Sequence, residues 1–360
     1  MSTRSRLAAL TLPALCWLLP TTGPLGAQPY GSWLSLGAGY PTQNTYVEIP
    51  HSAALNTPGS FTFEAWVAVT NTTVGDDCRS IAGKNYKSAW WFGFCNIDGY
   101  PTLRSFVKGE SSSAIGGVLT RGAWQHVALV YDKGAGKRRH YLNGQLVHEV
   151  AETGALPTNT AALRLGGDVS WPHSPGGSLD EARLWKVART EDQLREFLNR
   201  HITAPKPTGL AAQWSLDGNG NDTFNRRNGT VVNGAFLTFP AGPPCVSGPP
   251  SGNTACLLDR FQVSASFRNL ANGQYLAASV GATNGDAAVF ALLLPENWSV
   301  LVRALDACGL TPNRYWIFAS TLSEWTQVTV FDTKALQQKI YFIDWQLPPR
   351  IDLSAFATCP

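Results

Sequence analysis

Apolar and polar residues alternate with a period of two in several short runs of this chain, the spacing of strands that bury one face. In Phe61-Thr62-Phe63-Glu64-Ala65-Trp66-Val67, the residues Phe61, Phe63, Ala65 and Val67 share a side. Trp124-Gln125-His126-Val127-Ala128-Leu129-Val130-Tyr131 predicts another strand, closed by an Asp132-Lys133-Gly134 turn. Arg139-His140-Tyr141-Leu142 and Gln145-Leu146-Val147 flank Asn143-Gly144. An Asn-Gly pair between apolar runs predicts a tight hairpin, because both turn residues take positive φ. A single stretch has helical spacing: Thr190 can cap it, Gln193 completes a capping box, and Leu194, Phe197 and Leu198 form its apolar stripe.

Further along, Pro240, Pro243, Pro244, Pro249 and Pro250 lie among Gly and Ser, which predicts a stiffened linker over 241–255. Beyond it, Phe261, Val263, Ala265 and Phe267 alternate with polar residues. Val300-Leu301-Val302, Tyr315-Trp316-Ile317-Phe318, 327–331 and 339–343 predict more strands. The expected layout is an all-β chain with a larger domain over 28–240 and a smaller β-sandwich over 256–360.

Composition agrees with many turns and short strands. Charged residues make up 15% of the 360, against 34 Gly and 23 Pro. The formal net charge is +3. Residues 1–27 are expected to be a signal peptide: Arg4 and Arg6 precede the apolar run Leu7 to Leu19, which Pro13 interrupts, and Gly26-Ala27 offers small residues for cleavage. The run is too short to span a bilayer. Without it the chain is near +1, which gives no electrostatic case for nucleic acid or membrane insertion. The expected location is secreted, periplasmic or at the cell surface. Of seven cysteines, Cys16 falls in that segment, and six remain. An even count after export fits a disulfide framework. Six cysteines allow 15 pairings; short separation favours Cys78–Cys95, Cys245–Cys256 and Cys308–Cys359.

Several landmarks then occur in a familiar order. Tyr46-Val47-Glu48-Ile49-Pro50 precedes the Phe61 and Trp124 strands and the Tyr141-Leu142-Asn143-Gly144 hairpin. Leu163-Arg164-Leu165-Gly166 and Leu179-Asp180-Glu181-Ala182-Arg183-Leu184-Trp185 follow. From Tyr40 to His201 the chain resembles the laminin G-like jelly roll of the concanavalin A-like superfamily. The segment Leu210 to Asp217, with Asn228-Gly229-Thr230, resembles a piece that often precedes such a domain; here it is either a closing strand or the stump of a second copy. Arg260-Phe261-Gln262-Val263, Arg314-Tyr315-Trp316-Ile317-Phe318 and Ser354-Ala355-Phe356 resemble a C-terminal β module of secreted bacterial proteins, which implies no chemistry.

The superfamily includes glycoside hydrolases, so paired carboxyls matter. A retaining enzyme needs two about 5 Å apart. Glu64 is a lone strand acid, and the adjacent Asp180 and Glu181 are expected on opposite faces. The chain is therefore expected not to be an enzyme. The resemblance implies a structural calcium ion at a sheet edge through Asp180, with Asn44 at the opening turn; separately, Asp217 opens a second oxygen-rich run, 217–222, that could hold calcium. Calcium takes six to eight oxygens; the ordinary alternative is that these residues shape turns. A glycan site would use exposed aromatics, for which Trp171, His173, Trp90 and Trp91 are the candidates. Neighbours Trp90 and Trp91 must face opposite ways on a strand, so at most one is core; the alternative is packing over the sandwich edge. His126 is expected to hydrogen-bond on the outer face. The function expected is recognition of carbohydrate. The alternatives are adhesion through contacts with cell-surface or extracellular protein and, less favoured, glycoside hydrolysis.

Overall fold

The computed structural model describes residues 32–39, 41, 44–70, 77–109, 112–198, 202, 204–238, 245, 252–268, 275–291, 298–310, 314–321, 326–335, 337–343, 349–356 and 359. The expected signal peptide and most of the expected linker lie outside the described residues. In chain order the strands begin with β1 (Ser32–Gly37), β2 (Tyr46–Ile49), β3 (Phe61–Val69), β4 (Cys78–Gly83) and β5 (Trp91–Ile97). Next come β6 (Tyr100–Phe106), β7 (Ser113–Val118), β8 (Gln125–Asp132), β9 (Lys137–Leu142) and β10 (Gln145–Ala151). After β11 (Leu163–Leu165) and β12 (Gly177–Trp185) comes helix α1 (Glu191–Leu198), then β13 (Leu210–Trp214), β14 (Thr230–Val232) and β15 (Ala235–Thr238).

These strands build two facing antiparallel sheets. One has the order β10-β9-β8-β3-β12-β1-β15, with β13 also paired to β12. The other runs β14-β2-β11-β4-β5-β6-β7. The alternation of β3 sends Phe61, Phe63, Ala65, Val67 and Val69 inward, where they meet Ile81, Phe92, Phe94 and Leu103 of the second sheet. This is a jelly-roll sandwich. The Asn143-Gly144 turn joins β9 to β10 with φ of 54° and 73°. The capping box forms as expected: Gln193 N–H donates to Thr190 Oγ1 at 3.3 Å, and Thr190 N–H donates to Gln193 Oε1 at 3.0 Å. Residues 210–238 are closing strands rather than a stump, since β13 and β15 extend the first sheet and β14 the second.

The remaining strands are β16 (Thr254–Leu257), β17 (Phe261–Arg268), β18 (Tyr275–Ala277), β19 (Ser279–Thr283) and β20 (Ala287–Ala291). They continue with β21 (Trp298–Ala307), β22 (Arg314–Thr321), β23 (Thr326–Asp332), β24 (Gln337–Ile343) and β25 (Arg350–Phe356). Two five-stranded sheets, β16-β17-β23-β24 with β18 on β17, and β19-β20-β21-β22-β25, enclose a second core around Phe261, Val263, Val330 and Phe356. The outer face of β24 packs on the jelly roll. Phe342 stacks on Trp66 with centroids 6.0 Å apart, and Ile340 and Leu198 complete the cluster. Cys78–Cys95, Cys245–Cys256 and Cys308–Cys359 are bonded, the pairing that short separation favoured. Among the described residues no helix is long and apolar enough to cross a membrane.

Candidate ligand-binding site

Strands β4, β5 and β6 lie in the interior of the seven-stranded sheet, so alternation gives them two usable faces. Ile81, Phe92, Phe94 and Leu103 enter the core. Cys78, Trp91, Cys95 and Phe106 cluster on the opposite side. Cys78 and Cys95 are directly paired across the strands and bonded. Between Trp91 and Cys95 stands Gly93, and it has to be glycine: a Cβ there would lie 2.5 Å from the Trp91 indole and 2.0 Å from the Arg79 carbonyl. The missing side chain lets the indole lie down on the sheet, with Trp91 Nε1 donating to Ser80 Oγ at 2.7 Å.

Two loops wall this face. After β11 the chain runs on beside β4, where Ser80 N–H donates to the His173 carbonyl at 2.8 Å and Ser80 Oγ to the Trp171 carbonyl at 2.9 Å. Trp171 Nε1 donates to the Cys78 carbonyl at 3.1 Å, which plants its ring at the edge of the sheet. The turn between β4 and β5 brings Tyr86 to meet Trp171 at 5.8 Å and Phe106 at 6.2 Å. The result is an open cup of about 300 Å³ lined by Trp171, Tyr86, Trp91, Phe106, Arg104 and Asp77, with the Cys78 half of the disulfide.

One carboxylate ties both loops. Asp168 is wholly buried; its Oδ2 accepts from the Asn85 and Tyr86 amides (2.6 and 3.1 Å), and its Oδ1 from the Ser170 and Trp171 amides (2.8 and 3.2 Å). Burial raises its pKa above the ordinary value, against the lowering effect of those four bonds. Asp168 was not among the residues expected to build a site. Its one sequence signal is an Asp following Gly166-Gly167 at a strand end, a local turn former.

The polar groups of the cup are also held. Asp77 pairs with Arg79 at 2.6 Å and with His173 Nδ1 at 3.2 Å. Arg104 donates from Nε to Ser113 Oγ at 3.0 Å, and its guanidinium lies 4.8 Å above the Phe106 ring. The His173 ring packs 4.3 Å from that of Trp171. Three of the four aromatic candidates from sequence, Trp171, His173 and Trp91, are therefore brought together. The fourth, Trp90, is a correction: it is 1% exposed and packs in the core against Phe61 and Phe63 at 5.4 and 5.5 Å. Its neighbour Trp91 takes the outer face, as the pleat demands.

The residues expected to bind calcium are placed differently from the expectation. Asp180 lies on β12, between β3 and β1 inside the eight-stranded sheet rather than at an edge, opposite Trp66. Asp217 Oδ1 accepts the Ser32 amide at 3.0 Å, and the Asn44 carbonyl accepts from Asn233 Nδ2 at 3.1 Å. Among the described residues no three His, Cys, Asp or Glu side chains group as a metal site. The donor types suit calcium; their number falls short of six, and carbonyls would have to supply the rest.

Asp180 and Glu181 do not simply face opposite ways. A bulge shifts the register between Asp180 and Arg183, with Glu181 at φ 48°, so Glu181 reaches Arg183 at 2.8 Å. Arg183 also lies 3.8 Å from Glu64, which accepts from Trp185 Nε1 at 2.8 Å and sits 3.3 Å from His126 Nε2. Burial works against the Glu64 charge, but the His126 hydrogen bond and charge and the guanidinium charges of Arg183 and Arg189 prevail. They hold its pKa near 2.

Residues 41–195 match a family model described as the concanavalin A-like lectin/glucanases superfamily. No curated protein matches the chain. Among solved structures, a candidate carbohydrate-binding protein of Bacteroides ovatus is 24% identical with a TM-score of 0.47, the match covering 58% of this chain and 60% of that one. A heptameric SAP-like pentraxin of Limulus polyphemus is 12% identical with a TM-score of 0.43, over 59% of this chain and 96% of the other. The CBM40 of a Ruminococcus gnavus IT-sialidase is 15% identical with a TM-score of 0.32, over 43% and 94%. The strands and loops that carry the cup thus lie within the stretch, residues 41–195, that is similar to the concanavalin A-like lectin/glucanases superfamily.

Proposed function

We propose that the chain is a non-catalytic glycan-binding protein and that the cup on the seven-stranded sheet is its site. One observation carries this: aromatic side chains from two loops and two strands converge with a guanidinium and a carboxylate around about 300 Å³. Sugars present C–H faces that pack on aromatic rings, and hydroxyls that need both donors and acceptors. Concave sites with apolar walls and a few placed polar groups are the usual design for small ligands. Asp77 is the one carboxylate in the described lining, and it is engaged by Arg79 and His173. That favours binding over a two-carboxyl hydrolysis. Three disulfides support an exported protein, secreted, periplasmic or at the cell surface.

A glycan array probed with the wild-type chain and with Trp171→Ala tests the proposal. Wild type should bind a defined set of glycans, and the variant should lose at least tenfold in affinity with an unchanged melting curve. Equal binding by both proteins would place the site elsewhere. Adhesion through protein contacts has its own support in the second sandwich, where Leu301, Ile351 and Leu353 are exposed at 38, 59 and 42% on the outer side of β21 and β25. A structural calcium ion is a separate proposal. Melting in excess chelator and in millimolar calcium would differ by a few degrees if it binds, because a ligand selective for the folded state adds stability by mass action. Superimposable curves, or an increment kept in Asp180→Ala, would count against it.

A further inference from the structure

We infer that the cup takes the terminal residue of a glycan chain, one or two sugar rings at an end, rather than an internal stretch of polysaccharide. The inference rests on the glycan-binding proposal for the same site and concerns which part of a glycan enters it.

The rings of the cup are tilted against one another. An internal stretch of polysaccharide offers successive sugar faces along a line. It is met by aromatic rings that are nearly coplanar and spaced along an open groove. Here no two contacting rings of the lining are parallel. Tyr86 and Trp171 meet at 75°, Tyr86 and Phe106 at 51°, and Trp91 and Phe106 at 45°. Trp91 and Phe106 are buried at 1 and 9% exposure, so the aromatic surface open to a ligand is mainly that of Trp171 and Tyr86. Two rings near a right angle make a corner. A sugar can stack on one of them while its edge abuts the other, and a second sugar in line has no ring to lie on.

The walls point the same way. Trp171 is pinned along β4 by its indole N–H and by the bond from Ser80 Oγ to its carbonyl, while the Ser80 amide holds the His173 carbonyl, and Tyr86 stands in the β4–β5 turn. Asp168 holds both backbones through one carboxyl group, so neither wall can swing away without breaking hydrogen bonds from backbone amides to a buried acceptor. Arg104 and Asp77 offer a donor and an acceptor to hydroxyls that a chain-terminal sugar leaves free and an internal one spends on linkage. The volume, about 300 Å³, is at the small end for a ligand pocket, the size of one or two rings.

The test is chain-length dependence, read by calorimetric titration of the full mature protein. The probes are methyl glycosides of glucose, galactose, mannose, N-acetylglucosamine and glucuronic acid, with di- and tetrasaccharides ending in each. The expected result is that one terminal sugar binds, and that its methyl glycoside, disaccharide and tetrasaccharide agree within about threefold. Capping that terminus with a further sugar should abolish binding. Affinity that climbs tenfold or more from disaccharide to tetrasaccharide, or that survives capping, would overturn the terminal-residue inference while leaving glycan binding intact. Absence of binding to every probe and to the array would overturn both. Because the length series is measured on wild type, the outcome does not hinge on any variant folding.

Discussion

Asp168 and His140 show how much can depend on a single buried polar group. Asp168 carries no ligand in the proposed site, yet it sets the two loops that do. Asp168→Asn replaces one acceptor oxygen by an amide that faces two N–H donors. Stability should fall by about 2 kcal/mol or more, as for other buried groups left unsatisfied, and glycan affinity should fall with it. Urea midpoints and titrations check both; a stability loss with full affinity would leave Asp168 a purely structural residue. His140 sits between the sheets, its Nδ1 donating to the Gly116 carbonyl at 3.0 Å and its Nε2 accepting from Ser105 Oγ at 2.7 Å. Burial depresses its pKa from 6.5 to about 3, against the Gly116 bond. The folded state therefore refuses a proton that the unfolded chain accepts. Its contribution is complete above pH 6.5 and is lost as pH falls from 6.5 toward 3, at about 1.4 kcal/mol per unit. Glu64, lowered from 4.5 to about 2, adds a second loss between those values. Stability at pH 5 should be roughly 2 kcal/mol below that at pH 7, and His140→Gln should flatten that slope. An unchanged slope in the variant would assign acid sensitivity to other groups.

At the scale of elements, the cross-strand disulfide joins two roles. It ties β4 to β5 at the Cys78–Cys95 pair, and the Cys78 carbonyl receives the Trp171 indole. The bond closes a separation of 17 residues, for which loop closure alone predicts about 3 kcal/mol. Replacing both cysteines by serine should lower stability by that order and loosen the Trp171 wall, so that glycan affinity drops in the same variant. Full affinity in a destabilised double variant would show that the wall stands without the bond. The bulge in β12 is the other element that sets chemistry. By adding a residue at Glu181 it places Asp180 and Arg183, opposite Trp66 and Glu64, on one face of the sheet, which strict alternation does not allow.

Across the whole molecule, the two sandwiches share a buried cluster. Trp66 on β3 is covered by Leu198 from α1 and by Ile340 and Phe342 from β24, and its indole donates to the Leu198 carbonyl at 3.2 Å. Residues 28–240 expressed alone should give a soluble, cooperatively melting β protein that melts lower than the full chain, because Trp66 then faces water. In the full chain, Phe342→Ala should cost roughly 3 kcal/mol. A fragment that aggregates or melts without cooperativity would show that the second sandwich is required for the first to fold.

The alternation in β3 and β8, the Asn143-Gly144 hairpin, the Thr190–Gln193 capping box and the three cysteine pairings were legible in the sequence. Each depends on residues close in the chain, where period and turn chemistry act directly. The order of the motifs from Tyr46 to Trp185 likewise made the jelly roll legible. Trp171, His173 and Trp91 were visible as large aromatics in need of a reason, but the sequence did not say that they meet. Trp90 and Trp91 are equivalent in composition, and the tertiary structure alone sent the first to the core and the second to the cup. Tyr86, Phe106, Arg104 and Asp168 left little trace, because what makes them a site is adjacency across strands and loops up to 96 residues apart, as in the Asp77–His173 contact. Local periodicity decides which face a side chain takes; only the packed sheets decide which other side chains share that face.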